Sequence, residues 1–421
     1  MPVSAPTIAS YGRTALLTVL LVLLCAACGQ TTQDNATREK STQEKSIQET
    51  STQEKSTQEK STQGSGNGGG ESEPIDAGEK TAGATGSGEA STKRVEVSTL
   101  ATDLEVPWSF AFLPDGDALV TERDSGRLLR VSPSGEVTEV QTLPEGGSGE
   151  GGLLGVAVSP HYEEDHYVYA YYTTELDNRV VRFRLGERPE PILTGIPVNT
   201  YHDGGRIKFG PDGMLYVSTG DAGDVGNSQD RSSLGGKILR IEPDGSVPPD
   251  NPFPGSPVYS YGHRNVEGLA WDADGQLYAS EFGQDTWDEV NRIEAGENYG
   301  WPEIEGRGGE DEGYVDPITV WPTSEASPSG AEIMVDGAIP QWEGDLFVTA
   351  LRGERLWHLE LNDKGEVTGR QKLLDGEAGR IRDVVQAPDG SLWVSTSNHD
   401  TYGSPVSEQD DRIFRLAPAG E

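Results

Sequence analysis

The chain has 421 residues and a formal net charge of −37, which repels phosphate backbones and anionic lipid headgroups at long range and so excludes a nucleic-acid partner. With 54 glycines and 26 prolines against 8 phenylalanines and 3 methionines, it suits short strands joined by many turns rather than long helices. Its two cysteines, Cys25 and Cys28, both lie near the N-terminus, so the rest of the chain depends on core burial or bound metal instead of disulfides. The acidic surplus offers candidate calcium ligands.

An apolar run at residues 15–27 follows Arg13 and is too short for a comfortable membrane span, as in a secretory signal. Cys25-Ala26-Ala27-Cys28-Gly29 looks like a lipoprotein processing site, with Cys28 as the acylated first residue, although Cys25 stands where Leu or Val is usual. Residues 1–28 are therefore expected to be a signal peptide, and the protein to be exported and tied to the membrane only by a lipid on Cys28. Residues 29–93 carry almost no large apolar side chain and repeat Ser-Thr-Gln-Glu-Lys between positions 41 and 63. Such a segment cannot bury a core and reads as a disordered tether. The folded domain is expected over 94–421.

Beyond Val95 one theme recurs: an apolar strand, a Pro-Asp-Gly or Asp-Gly turn, then a strand ending in small or acidic residues. It is clear at residues 109–116, 207–217, 269–280 and 384–395, with weaker copies at 154–172 and 333–351. Further strands at 127–131, 180–185, 237–241, 355–361 and 412–416 read as outer strands of the same units. Six units of four short antiparallel strands make an all-β six-bladed β-propeller, whereas a β-helix needs shorter and more regular repeats. In a propeller the innermost strands line a channel and the loops at one end build the site, so polar residues at strand exits are the candidates. Those exits carry Tyr201-His202-Asp203-Gly204-Gly205-Arg206, Tyr261-Gly262-His263-Arg264-Asn265 and Glu281-Phe282-Gly283-Gln284. Arg352, Arg380 and Arg382 stand near blade ends, and three converging guanidinium groups suit a small polyanion.

These motifs, together with Gly149-Glu150-Gly151-Gly152, Asp288-Glu289-Val290-Asn291, Asn298-Tyr299-Gly300-Trp301-Pro302 and Arg380-Ile381-Arg382-Asp383, occur in an order that resembles the soluble glucose/sorbosone dehydrogenase family from about Thr99 to Leu416. The short loops are more similar to its aldose sugar dehydrogenase branch. The resemblance implies an enzyme that oxidises aldose sugars at C1 to the lactone, with pyrroloquinoline quinone (PQQ) and Ca2+ as cofactors. It implies His202 as the base, Asp221 as the carboxylate that fixes it, and Arg264 as the residue stabilising charge on the quinone, with Asn265 beside it. It further implies Arg352, Arg380 and Arg382 as the cradle for the cofactor's carboxylates and Glu150 as a neighbour of the site.

The cofactor's calcium is implied to sit on the backbone carbonyls of Gly283 and Gln284, and a second calcium on the Glu289 side chain and the Tyr299 carbonyl. Gln284 replaces the common proline, so Gln284→Pro is expected to pre-order the loop and tighten calcium binding. Two other classes stay open on the residues alone: a calcium-dependent propeller lactonase, whose metal is held by side chains, and a non-catalytic sugar-binding propeller. The sequence does not name the electron acceptor. The lack of long inserted loops points to a monomer.

Overall fold

The structure, a computed structural model, describes residues 94–143 and 146–419; the expected signal peptide and tether lie outside the described residues. Six four-stranded antiparallel sheets are arranged as the blades of a propeller. Blades 1 to 5 are meanders in chain order. Blade 6 is closed by the first strand of the domain, Val95–Ala101, which pairs with the last, Ile413–Pro418, so that the ring's two ends share one sheet.

No single central core holds the ring together. Six apolar clusters each fill one interface between neighbouring blades. The two-residue period of a strand produces this, because a buried strand sends alternate side chains to both neighbours. In Ala118–Glu122, Ala118 and Val120 pack toward blade 6 while Leu119 packs toward blade 2. Tyr216 packs toward blade 4 while Leu215 and Val217 pack toward blade 2. Each such fully buried side chain contributes about 1.5–3 kcal/mol.

The strands read as outer ones are in fact third in their sheets. In blades 1 to 5 a further strand lies outside them, from Val137–Thr142 in blade 1 to Val367–Leu373 in blade 5, and in blade 6 Val95–Ala101 takes that place. Most of these edge strands are polar and largely exposed, as Val137–Thr142 illustrates, and lack the apolar alternation that marks the inner ones; those of blades 3 and 4, Val258–Tyr261 and Thr319–Pro322, are half-buried but only four residues long.

The innermost strands, Pro107–Phe112, Leu153–Val158, Ile207–Phe209, Val266–Trp271, Pro328–Ile333 and Ile381–Gln386, all run the same way along the channel. In five of them the register slips at the start, and bulges there re-aim side chains. At the other end four blades share one turn: the N–H of Leu113, Gly210, Asp272 and Ala387 bonds the carbonyl four residues on. Each of these turns places a glycine at φ between 78° and 93°, the left-handed region that Asp-Gly signals.

Candidate active site

Most of the residues singled out in the sequence sit just before or at the starts of innermost strands or in the loops after second strands, which is the bulged end of the channel; Glu289 lies in the third strand of blade 4, Trp287–Ile293, and Tyr299 in the loop after it. His202 precedes Ile207–Phe209 with φ of 60°, a left-handed conformation uncommon outside glycine. Two contacts hold it there. Its N–H donates to Glu150 Oε2 at 2.7 Å, and its carbonyl accepts the Ala222 N–H at 3.2 Å. A Cβ on Gly220 would lie 2.0 Å from the His202 carbonyl oxygen, so the approach requires glycine.

The His202 ring meets Asp221 through Nδ1 at 2.7 Å. Asp221 is fully buried and also accepts the Gly223 N–H at 2.8 Å and the Trp301 Nε1–H at 2.9 Å. Burial works to raise its carboxyl, but the His202 contact and these donors outweigh it and hold it below the usual carboxylate range. With Asp221 ionised, Nδ1 is the donor and Nε2 the free acceptor. Nε2 has no hydrogen-bond partner among the described residues, and the side chain is 14% exposed, enough for a ligand to reach it.

Arg264 leaves the same cluster by its backbone, its carbonyl accepting the Asp221 N–H at 2.8 Å. Its guanidinium lies 5.5 Å from the Trp301 ring centroid, and its buried Nε has no partner. Burial lowers its pKa, opposed by Asp221, Glu150, Glu281 and Glu305. Asn265 accepts the Gly204 N–H at 3.0 Å and donates to Glu267 at 3.3 Å.

Of the three arginines, the structure brings two together. Arg380 and Arg382 both bind Asp400 Oδ2, and Arg382 also reaches Glu267 at 2.8 Å, its Nε remaining buried and unpartnered. Arg352 is exposed, after the strand Leu346–Ala350, and makes no ion pair among the described residues. Below them Arg206 pairs with Asp383 at 2.9 Å, donates Nε–H to the Glu267 carbonyl and lies 4.2 Å from the Trp108 ring centroid. Glu267, Arg382, Asp383 and Arg206 thus form a buried charged plug across the channel.

The loop at 283–287 presents the two carbonyls expected to bind calcium. Neither the Gly283 nor the Gln284 carbonyl accepts a hydrogen bond from the described residues. The Gln284 N–H, however, donates to Glu305 at 2.7 Å, a bond that proline cannot make, so the expected benefit of Gln284→Pro is overturned. Glu289 and Tyr299 line one small cavity together with Arg264, Gly283, Trp301 and Glu305. Burial and repulsion from Glu281 push the Glu289 carboxyl up to about 8. Tyr299 stacks on His263 at 4.6 Å. No group of three or more His, Cys, Asp or Glu side chains able to hold a metal occurs among the described residues.

Trp301, Glu267, Asp288, Asp400 and Glu305 have supporting roles that sequence reading missed. Trp301 stood inside a quoted motif without a role, and Glu267 was visible as a carboxylate in the otherwise apolar strand Val266–Trp271.

The family model described as Glucose / Sorbosone dehydrogenase matches residues 104–403. A solved structure of the PQQ-bound aldose sugar dehydrogenase of Streptomyces coelicolor is 51% identical, with 77% of this chain and 98% of that chain covered and a TM-score of 0.71. Quinoprotein glucose dehydrogenase B of Acinetobacter calcoaceticus is 29% identical over 432 residues, covering 77% of this chain and 89% of that protein. The aldose sugar dehydrogenase of Escherichia coli K12 is 29% identical over 344 residues, covering 73% and 91%. Matched across six blades and through the loops that carry His202 and Arg264, the chain belongs to the glucose/sorbosone dehydrogenase family of oxidoreductases.

Proposed function

We propose that this chain oxidises aldose sugars at C1 to the lactone, with PQQ and Ca2+ as cofactors and His202 as the general base. The observation that carries the reading is the His202 ring: Asp221 holds Nδ1, and Nε2 is left as an acceptor open to a ligand. A sugar's anomeric hydroxyl gives its proton to Nε2. The imidazolium so formed faces an Asp221 carboxylate kept ionised by Trp301 and Gly223, which stabilises it without taking the proton. The Glu150 bond keeps the histidine backbone in its left-handed conformation, so that the ring is placed before substrate arrives.

PQQ, when bound, would supply the acceptor for the C1 hydride, and Ca2+ the positive charge that favours it. The residues that would hold PQQ are Arg264, Asn265, Arg352, Arg380 and Arg382, with Glu150 beside them. Its carboxylates are matched by the unpartnered Nε of Arg382 and by Arg352, which makes no ion pair among the described residues, and its quinone by Arg264, whose Nε is likewise unpartnered. The arginine pair is already balanced by Asp400 and Glu267, so a ligand there meets oriented donors more than net positive charge. The free carbonyls of Gly283 and Gln284 would hold the cofactor's calcium, and Glu289 with the Tyr299 carbonyl a second ion. Export, a lipid on Cys28, a monomeric state and a separate electron acceptor belong to the same proposal. The lactonase alternative requires a side-chain metal cage, and no such group is among the described residues.

The test is reconstitution of metal-free protein with PQQ and Ca2+, followed through the quinone absorption band. Aldoses are expected to bleach the band and, with a dye acceptor, to be oxidised to lactone. A bound quinone that stays unchanged under excess aldose would sink the reading, and acid release from lactones with no acceptor would favour a hydrolase.

A further inference from the structure

We infer that Glu305 is a positioning residue that shapes the loop at 283–287 for a divalent cation, an inference that rests on the proposed placement of calcium on the Gly283 and Gln284 carbonyls. A single carboxylate oxygen, Glu305 Oε1, accepts the N–H groups of Gln284 at 2.7 Å, Asp285 at 3.0 Å, Thr286 at 3.0 Å and Trp287 at 3.1 Å. Asp288 Oδ1 takes the preceding one, from Gly283, at 2.9 Å. Five successive backbone donors are therefore spent on two carboxylates, while the loop carbonyls from Gly283 to Thr286 accept no hydrogen bond from the described residues, the proposed ligands Gly283 and Gln284 among them. A loop whose donors are all satisfied on one side presents its acceptors without competing for the ligand.

The fit is close. A Cβ on Gly283 would fall 1.8 Å from the Trp287 carbonyl oxygen and 2.7 Å from Glu305 Oε1, and one on Gly306 would meet the Trp287 ring at 2.6 Å. Glu305 is fixed in turn by its neighbours: Ile304 donates to the Gly300 carbonyl at 3.0 Å and Gly306 to Glu289 at 2.6 Å. Trp301, which donates to Asp221, belongs to the same segment, so one stretch of chain sets both the base's carboxylate and the cation loop. The fourfold bonding uses the Gln284 N–H, a donor that a proline at this position would lack.

The experiment compares the wild-type chain with Glu305→Gln, Glu305→Leu and Gln284→Pro. Hydrogen exchange of the peptide covering 283–287 is measured in metal-free protein, and Ca2+ is titrated in the presence of PQQ with quinone absorbance as the readout. Loss of a charged acceptor is expected to speed exchange in that peptide and raise the half-saturating Ca2+ by about tenfold or more in Glu305→Leu. Glu305→Gln, which keeps an acceptor oxygen without the charge, should fall between, and Gln284→Pro should raise the Ca2+ requirement too. Quinone affinity at saturating Ca2+ should stay unchanged in all three, which a general loss of structure would not allow. Wild-type exchange and an unchanged Ca2+ requirement in Glu305→Gln and Glu305→Leu would overturn the inference, as would fast exchange with an unaltered requirement. Failure of the wild-type protein itself to take up Ca2+ with PQQ would overturn the calcium reading beneath it, and that result is told apart because it appears before any substitution.

Discussion

The two ends of the channel are made by the same six strands and differ in almost everything else. The far end has the room: a cavity of about 300 Å³ lined by the later halves of the innermost strands, opening to a mouth of about 600 Å³. Its polar groups are at ease, with Lys208 paired to Glu332 and Asp-Gly turns bonded internally. The site end holds a left-handed histidine, orphaned guanidinium nitrogens and several buried carboxylates. What marks the site is polar groups kept out of water in set orientations, the condition under which they act strongly on a ligand.

The plug between the two ends gives the sharpest test of that contrast. Asp383 is buried, accepts Arg206 at 2.9 Å and the Phe110 N–H at 3.1 Å, and its replacement by Ala leaves the Arg206 charge buried without its partner. Asp383→Ala is expected to cost about 3–5 kcal/mol in urea unfolding. Lys208→Ala, breaking a pair whose lysine is 31% exposed, should cost less than about 1 kcal/mol. Equal losses would mean that the two ends do not differ in how they hold charge.

Next in size is the base. His202→Ala is expected to lower sugar oxidation by at least about a hundredfold while leaving the quinone titration unaltered, since the ring accepts the proton and carries none of the proposed cofactor contacts. Near-normal turnover in the fully reconstituted variant would remove the base from this end of the channel. A fall in quinone affinity of the same size would make His202 part of the cofactor's seat instead.

The far end was the more legible one in the sequence. Asp-Gly turns and two-residue alternation are local signals, and they located four of the shared turns and the inner strands. The edge strands of blades 1, 2 and 5 were missed because exposure erases the alternation, those of blades 3 and 4 because four residues are too few to show one, and the closing strand Val95–Ala101 because its partner is more than 300 residues away. At the site end the resemblance supplied the names of His202, Asp221 and Arg264, and the structure brings these three together. Their supports come from elsewhere in the chain: Trp301 reaches Asp221 across 80 residues and Arg382 reaches Glu267 across 115. A carboxylate that serves by accepting backbone N–H groups, as Glu305 does, has no side-chain pattern to announce it.

The smallest expected effect is a gain. Asp203 follows the proposed base, is 2% exposed, accepts Asn178 at 2.8 Å and the Asn199 N–H at 3.2 Å through Oδ1, and leaves Oδ2 without a partner. Burial pushes its carboxyl up to about 6, Glu150 adding to the rise while His202 and the two donors oppose it. In the unfolded chain an aspartate titrates near pH ~3.9. Between that pH and about 6 the unfolded state gives up its proton while the folded state keeps it, so stability falls as pH rises through this window and the loss is complete above it. Asp203→Asn keeps an oxygen for the same two donors and carries no charge, so its stability should be free of this contribution. Urea unfolding at about pH 3 and about pH 7.5 is expected to show the variant about 1–2 kcal/mol more stable than wild type at the higher pH, and little different at the lower. Parallel pH dependence in the two proteins would mean that Asp203 is as well solvated as the carboxylates of the far end, and the contrast between the ends would not extend to this residue.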